Sequence, residues 1–284
     1  MRTLVCGVFL VACHGGDAST SFPDASRDGT PDTSIAAGPP IEVSADFYPQ
    51  LAARGLLRPG DAMLAIAVRA QVQNAPPISQ QRFQLAIDAL AAVSTAERTN
   101  QIGVQKTLVF SSIEDLVTFL PAIPSDLGVD WIGYDMEGGM TPDGELADPT
   151  SVQTFAAQVA GSGRKMSWGP TSDRYAALAN ASLLGPTIAP PVAGAVLQGQ
   201  RILSMGGLDP LRTSVTTTQS EIAQASPSVR FGLQLFLPTD TVQQTIDGFN
   251  AAYTDLGDQL GLAIVGTADE ASAEAVIVQL SWRR

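Results

Sequence analysis

The sequence predicts an α/β fold, a single (β/α)8 barrel formed by residues 41–284. Short runs of Val, Ile, Leu and Ala recur along the chain, and most are followed by a segment with helical periodicity. Such continuous apolar runs are typical of strands that are buried on both faces of a parallel sheet. Strands that alternate with helices favour the same class. A complete barrel needs about 250 residues, close to the length available after residue 40.

Seven apolar runs are clear strand candidates, and residues 41–46 (IEVSAD) supply an eighth strand ahead of them. The seven runs are 62–68 (AMLAIAV), 106–111 (KTLVFS), 129–136 (VDWIGYDM), 165–169 (KMSWG), 193–198 (AGAVLQ), 230–236 (RFGLQLF) and 262–266 (LAIVG). Eight repeats in this length favour a closed barrel over an open doubly wound sheet. Neither GxGxxG after a strand nor GxxxxGK[ST] occurs, which disfavours nucleotide-binding folds.

Helix candidates lie between the strands. Residues 79–93 form an amphipathic stripe that begins at Ser79, a residue suited to an N-cap. Asp148 and Pro149 predict a second helix start, with Asp as the cap and Pro in the first turn. Three further segments have similar periodicity: 214–225, 240–253 and 269–278.

The first residues predict export. Residues 1–12 combine a basic residue with an apolar run too short to span a membrane, as in a secretory signal peptide. The sequence LVAC at 10–13 resembles the bacterial lipobox, in which the cysteine is lipidated, so Cys13 is the expected lipidation site. The alternative is an ordinary signal peptide in which Cys13 has no role. Both cysteines of the chain lie in this segment, so disulfide or thiol chemistry is excluded for residues 41–284.

Residues 13–40 are rich in Ser, Thr, Asp, Gly and Pro, which predicts a disordered tether between the lipid and the barrel. We expect the chain to cross the inner membrane and to be lipid-anchored at the outer membrane or cell surface. The formal net charge of −12 and pI near 4.4 argue against nucleic acid or an anionic membrane surface as a partner. We expect a monomer whose membrane contact is the lipid anchor alone.

The single histidine is His14, within the predicted tether. The barrel therefore has no Ser-His-Asp site and no imidazole metal ligand, and acid–base chemistry there must use Asp, Glu, Tyr or Lys. The oxygen-rich segment with Asp143, Glu145 and Asp148 lacks the spacing of a known calcium loop. We expect no cofactor and no obligatory metal.

The fourth strand ends in two acids. The stretch VDWIGYDMEGG at 129–139 places Gly133, Asp135 and Glu137 on one face of a strand, because alternate residues point the same way. Two carboxyl groups on a buried strand repel each other and lose hydration, so the pair needs a reason. The carboxyl ends of barrel strands are where barrel enzymes place their active sites.

This segment resembles the strand-four motif of family 18 glycoside hydrolases, the chitinase-like barrels, which reads D-x-x-D-x-D-x-E. The chain has Asp130-x-x-Gly133-x-Asp135-x-Glu137. The resemblance implies that Glu137 is the general acid and that Asp135 orients the substrate's acetamido group. The chain departs from the family at Gly133, and its sixth strand lacks the family's tyrosine.

A looser resemblance is to secreted bacterial barrels related to glycosidases, which implies a sugar-handling barrel without a defined reaction. It rests on Gly133-Tyr134-Asp135-x-Glu137, Thr141-Pro142, Glu145, Asp148-Pro149 and Leu197-Gln198-Gly199-Gln200.

Four residues are candidate sugar contacts. Gln198 and Gln200 lie at the end of the sixth strand, where their amides would bind hydroxyl groups or satisfy loop backbone instead. Trp168 ends the fifth strand, and its ring suits a sugar platform or core packing. Tyr134 alternates away from the acid pair and is the weakest candidate.

Three functions fit these observations. The first is a surface-anchored glycoside hydrolase-like protein acting on a polysaccharide or oligosaccharide. The second is a non-catalytic carbohydrate-binding lipoprotein, and the third is a structural envelope lipoprotein without a sugar ligand.

Overall fold

The computed structural model of the protein describes residues 38–237, 240–267 and 269–283. Within these ranges, eight parallel strands pair in sequence order, and the first pairs with the last to close a barrel. The strands are β1 (Ile41–Ser44), β2 (Ala62–Ala67), β3 (Gln105–Phe110), β4 (Trp131–Met136), β5 (Lys165–Pro170), β6 (Val192–Gln198), β7 (Arg230–Phe236) and β8 (Leu260–Gly266). The predicted (β/α)8 fold is confirmed.

Helices follow the strands and cover the outside of the barrel. They are α1 (Tyr48–Ala53), α2 (Gln80–Asn100), α3 (Ile113–Phe119), α4 (Asp143–Ala147), α5 (Ser151–Gly161), α6 (Ser172–Asn180), α7 (Leu184–Thr187), α8 (Gln200–Gly206), α9 (Leu208–Ala225), α10 (Val242–Leu256) and α11 (Glu270–Ile277). Among the described residues, no helix is long and apolar enough to cross a membrane.

One of the two helix caps expected from the sequence forms and the other does not, and α10 begins with a capping box. Ser79 accepts a hydrogen bond from the third amide of α2, as its sequence position predicts. Thr241 and Gln244 form a reciprocal capping box at the start of α10. Asp148 does not cap α5, because its carboxylate instead binds the backbone and hydroxyl of Thr150, and the helix begins at Ser151.

The strands separate two cores. One is the packed interior of the barrel, called here the lumen, where side chains such as Leu64, Val109 and Trp131 meet. The other lies between the strands and the helices and contains Tyr134, Met136 and the other outward-pointing side chains. Side chains alternate between the two cores along each strand, so the parity of a residue decides which core it enters.

The predicted signal peptide and Cys13 lie outside the described residues, as does most of the 13–40 tether. Lipidation, export and the boundaries of these segments therefore stay predictions.

Candidate active site

Strand β4 delivers both acids to the lumen side at the carboxyl end of the barrel. Trp131 packs in the lumen, and Gly133, Asp135 and Glu137 share its parity. Gly133 pairs with lumen-facing Val109 on β3, and Asp135 pairs with Gly169 on β5. The structure thus brings Asp135 and Glu137 together on one face.

Asp135 is fully buried, and among the described residues no hydrogen-bond donor reaches either of its carboxyl oxygens. Burial, and secondarily the charge of Glu137, raises the pKa of Asp135 well above its ordinary value. A buried carboxylate without a donor is costly, so the neutral form is the stable one here. Burial without a hydrogen-bond donor therefore favours the protonated form of Asp135.

Glu137 lies one residue beyond β4 and retains 7% exposure. Burial raises its pKa to about 7, although the amide of Gln198 on β6 offsets part of the rise. Gln198 also donates from Nε2 to the carbonyl of Gly169 at 3.3 Å, which fixes the amide near the acid. A carboxyl group with this pKa can donate or accept a proton near pH 7.

A tight turn from Glu137 to Thr141 sets the position of the acid. The Glu137 carbonyl accepts hydrogen bonds from the amides of Met140 at 3.2 Å and Thr141 at 2.9 Å. The Thr141 hydroxyl accepts from the Glu137 amide at 3.1 Å and donates to the Asp135 carbonyl at 2.9 Å. Thr141 therefore links the backbone of both acids. The sequence drew attention to Thr141 only as part of a resemblance.

Tyr134 lies on the other side of the barrel wall from the acid pair. Its ring stacks on Phe155 of α5 at 4.2 Å between centroids, and its hydroxyl donates to Glu145 at 2.6 Å. The side chain is fully buried. The structure does not bring Tyr134 to a position where it could contact a ligand at Glu137.

Trp168 is likewise fully buried behind the wall, because it pairs with Tyr134 and shares its outward direction. Its ring packs against Tyr175 of α6 at 5.1 Å between centroids. This is core packing, and the expected sugar platform is not formed by Trp168.

The two glutamines are separated. Gln198 is buried in the lumen beside Glu137. Gln200 is the first residue of α8 and is half-buried, and its side-chain oxygen has no hydrogen-bond partner among the described residues. Gln198 therefore lies beside the acid pair. Gln200 lies two residues later in the chain, at the start of α8, and no contact with the acids is seen among the described residues.

Sequence reasoning did not identify further polar groups inside the lumen. Glu42 on β1 is fully buried, accepts a hydrogen bond from Thr107 on β3 at 2.9 Å, and has a pKa raised well above its ordinary value by burial. Ser167 on β5 is fully buried too, and no partner of its hydroxyl is found in the described residues. The sequence signal that could have found them is a polar residue within an otherwise apolar strand, at a position whose side chain points into the lumen.

The acidic side chains after β4 accept hydrogen bonds from neighbouring groups of the protein. Glu145 accepts from Tyr134 and from the amide of Ile113 at 3.0 Å, and Asp148 binds Thr150. In the part of the chain that the structure describes, no group of three or more His, Cys, Asp or Glu side chains is arranged to hold a metal ion.

No family model matches the chain, and a comparison with curated proteins finds no match. Among solved structures, a GH18 chitinase from Pseudoalteromonas aurantia is similar, with 12% identity and a TM-score of 0.53. The similarity covers 86% of this chain and 100% of the chitinase chain.

Two other structures are similar at lower TM-scores. An enolase protein from Sargasso Sea environmental sequencing has 13% identity and a TM-score of 0.46, over 84% of this chain and 57% of the enolase. The catalytic core of xylanase A has 13% identity and a TM-score of 0.45, over 82% of this chain and 88% of that core. At these identities the likeness to the chitinase shows the fold, and the chain is a (β/α)8 barrel of a kind that glycoside hydrolases also use.

Proposed function

We propose that this barrel is a glycoside hydrolase-like protein that acts on a polysaccharide, with Glu137 as the general acid and Asp135 as its partner. The observation that supports this most is the position of Glu137 at the carboxyl end of β4 together with its pKa of about 7. An acid with a pKa near the working pH is suited to protonate the oxygen of a departing sugar.

The roles of the two acids differ because their surroundings differ. Glu137 retains 7% exposure and lies nearer the barrel mouth, whereas Asp135 is fully buried, so of the two acids Glu137 is the one closer to a bound substrate. In its neutral form, which burial favours, Asp135 adds no second charge beside Glu137, and its hydroxyl could donate to an acceptor on a substrate that reaches the lumen. The resemblance of strand four to chitinase-like barrels suggests that this acceptor belongs to an acetamido group, and hence an N-acetyl sugar.

The depth of the pair also favours a second candidate. Asp135 has no exposure and Glu137 has 7%, while Met140 packs into the lumen next to the turn. A barrel sealed in this way suits a non-catalytic protein, either carbohydrate-binding at another surface or structural, in which the acids remain as buried structure. Turnover is the property that separates the two candidates.

Glu137→Gln tests the acid assignment, because it preserves shape and removes the proton donor. On an N-acetylglucosamine oligosaccharide, which has a poor leaving group, the rate should fall about 10²–10⁴-fold. A glycoside with an activated aryl leaving group should be less affected. Glu221→Gln on α9 is the matched control and should retain the rate. Wild-type turnover that survives Glu137→Gln on the poor leaving group would refute the assignment, and binding without turnover in the wild type would favour the second candidate.

We further propose surface anchoring through a lipid on Cys13, on the basis of the LVAC sequence. Cys13→Ser, expressed with its signal intact, should release the protein from the membrane fraction and abolish incorporation of labelled fatty acid. If the variant stays in the membrane fraction, the anchor is not a lipid on Cys13.

A further inference from the structure

A cavity of about 350 Å³ opens at the carboxyl end of the barrel, between the loop after β2 and the turn after β4. Gln73 and Asn74 line one side, and Thr141 and Asp143 line the other. The Val72 amide donates to the Gly139 carbonyl at 3.1 Å, which joins the two walls. Ligand sites usually measure about 300–1,000 Å³, so this one suits about one or two sugar rings. We call it the mouth cavity.

The mouth cavity adjoins the turn that holds the acid pair. Thr141, in its wall, is the residue whose hydroxyl bonds the Glu137 amide and the Asp135 carbonyl. Met140 also lines the cavity and belongs to the same buried lumen cluster as Val68 and Val109, so it lies between the cavity and the barrel interior. A ligand in the cavity would therefore contact the segment that positions Glu137.

The charges around the cavity disfavour an anionic ligand. Arg69 lines the wall, but its guanidinium pairs with Asp115 and with Glu114, each at 2.7 Å. Asp143 adds an exposed carboxylate to the opposite wall. Two carboxylates already neutralise Arg69, which leaves Asp143 as the unpaired charge among the described residues of the cavity wall. The net charge of −12 on the whole chain acts in the same direction.

From this geometry we infer that the mouth cavity binds a neutral or amino sugar unit and excludes acidic sugars. The amides of Gln73 and Asn74 supply both donors and acceptors for hydroxyl groups, and the carboxylate of Asp143 adds an acceptor that also favours an ammonium group. The inference rests on the proposed function in taking the ligand to be a sugar, but it requires no catalysis.

The test is calorimetric binding in the Glu137→Gln background, in which hydrolysis does not disturb the titration. The probes are the hexamers of N-acetylglucosamine (neutral), glucosamine (cationic) and galacturonate (anionic). We expect the neutral and cationic hexamers to bind and the anionic one to bind at least about tenfold more weakly at low salt.

Asp143→Lys should reduce this difference in affinity between the neutral and the anionic hexamer by at least about threefold. The matched control is Asp126→Lys, at an exposed site before β4 and hence at the opposite end of the barrel. It should leave the difference in affinity unchanged.

A second variant tests, without a change of charge, whether the sugar binds in the mouth cavity. Ala75→Phe places a ring in the wall of the cavity and should weaken binding of the neutral hexamer at least about tenfold. Ala91→Phe, on the exposed face of α2, is the matched control and should not.

If neither Asp143→Lys nor Ala75→Phe changes the affinity for the hexamers, the inference is overturned, even if the wild type hydrolyses sugars. Selective binding that responds to both variants supports the inference, even if the wild type hydrolyses nothing and the proposed catalysis fails. If none of the three hexamers binds, the inference is overturned.

Discussion

The Thr141 hydroxyl accepts a hydrogen bond from the amide of Glu137 at 3.1 Å and thereby fixes the backbone that presents the candidate acid. The same hydroxyl donates to the carbonyl of Asp135, two residues earlier. One side chain therefore holds the backbone of both acids. Thr141 is itself buried, with 4% exposure. Water therefore cannot replace the bond at low cost if the hydroxyl is removed.

Thr141→Val removes this bridge while it keeps the volume of the side chain. The Glu137 amide and the Asp135 carbonyl each lose a partner, so the free energy of unfolding should fall by about 1–3 kcal/mol. Denaturant unfolding measures the loss. Thr141→Ser loses the methyl group but keeps the hydroxyl, so it should cost less. A loss in Thr141→Ser with little loss in Thr141→Val would show that the methyl group, rather than the bridge, matters.

Stability should depend on pH through Glu137. Its pKa is about 7 in the folded protein and near 4.5 when unperturbed, so between these values the folded state binds more protons than the unfolded state. The contribution of Glu137 to stability is therefore fully present below about pH 4.5 and is lost as pH rises through 7. The loss is at most about 3 kcal/mol.

Glu137→Gln should remove this dependence, because an amide does not titrate. Denaturant unfolding of both proteins at pH 5, 6, 7 and 8 should show the wild type losing stability relative to the variant across this range. A constant difference between the two proteins at all four pH values would mean that Glu137 titrates normally. Asp126→Asn, at an exposed acid, serves as the control for general charge effects.

Tyr134→Phe should lower stability without altering sugar binding. The substitution keeps the stack on Phe155 but removes the 2.6 Å hydrogen bond to Glu145, a loss of about 1–2 kcal/mol. Tyr253→Phe, at a half-buried ring on α10, should cost less. Unfolding and calorimetric titration together check both parts. Weaker sugar binding in Tyr134→Phe would restore the sequence hypothesis that Tyr134 contacts the ligand.

The eight strands could be predicted from sequence because parallel barrel strands are buried on both faces and so appear as continuous apolar runs. Each predicted run overlaps its strand, and 41–46 contains β1. The helix after Ser79 could also be located from its cap, although it extends to Asn100 and not to residue 93. On β4 the alternation of side chains placed Asp135 and Glu137 on one face, as the structure does.

The same burial explains what the sequence could not decide. On β5, Lys165 and Ser167 alternate with Met166 and Trp168, but this alternation alone does not say which of the two faces points into the lumen and which toward the helices. Pairing of Trp168 with Tyr134 across β4 and β5 settles the direction, and register is a tertiary property. The role of Thr141 depends on a turn that brings it back to Glu137, and no local pattern predicts that return.

The protonation of Glu137 is the most direct test of the account, because general acid catalysis requires a carboxyl group that keeps its proton near neutral pH. Carbon-13 NMR of glutamate-labelled protein, with Glu137→Gln used to assign the signal, gives the titration midpoint of this side chain. We predict a midpoint near 7. A midpoint at or below the ordinary value of about 4.5 would contradict the account, because Glu137 would then be an ionised carboxylate at neutral pH with no proton to donate.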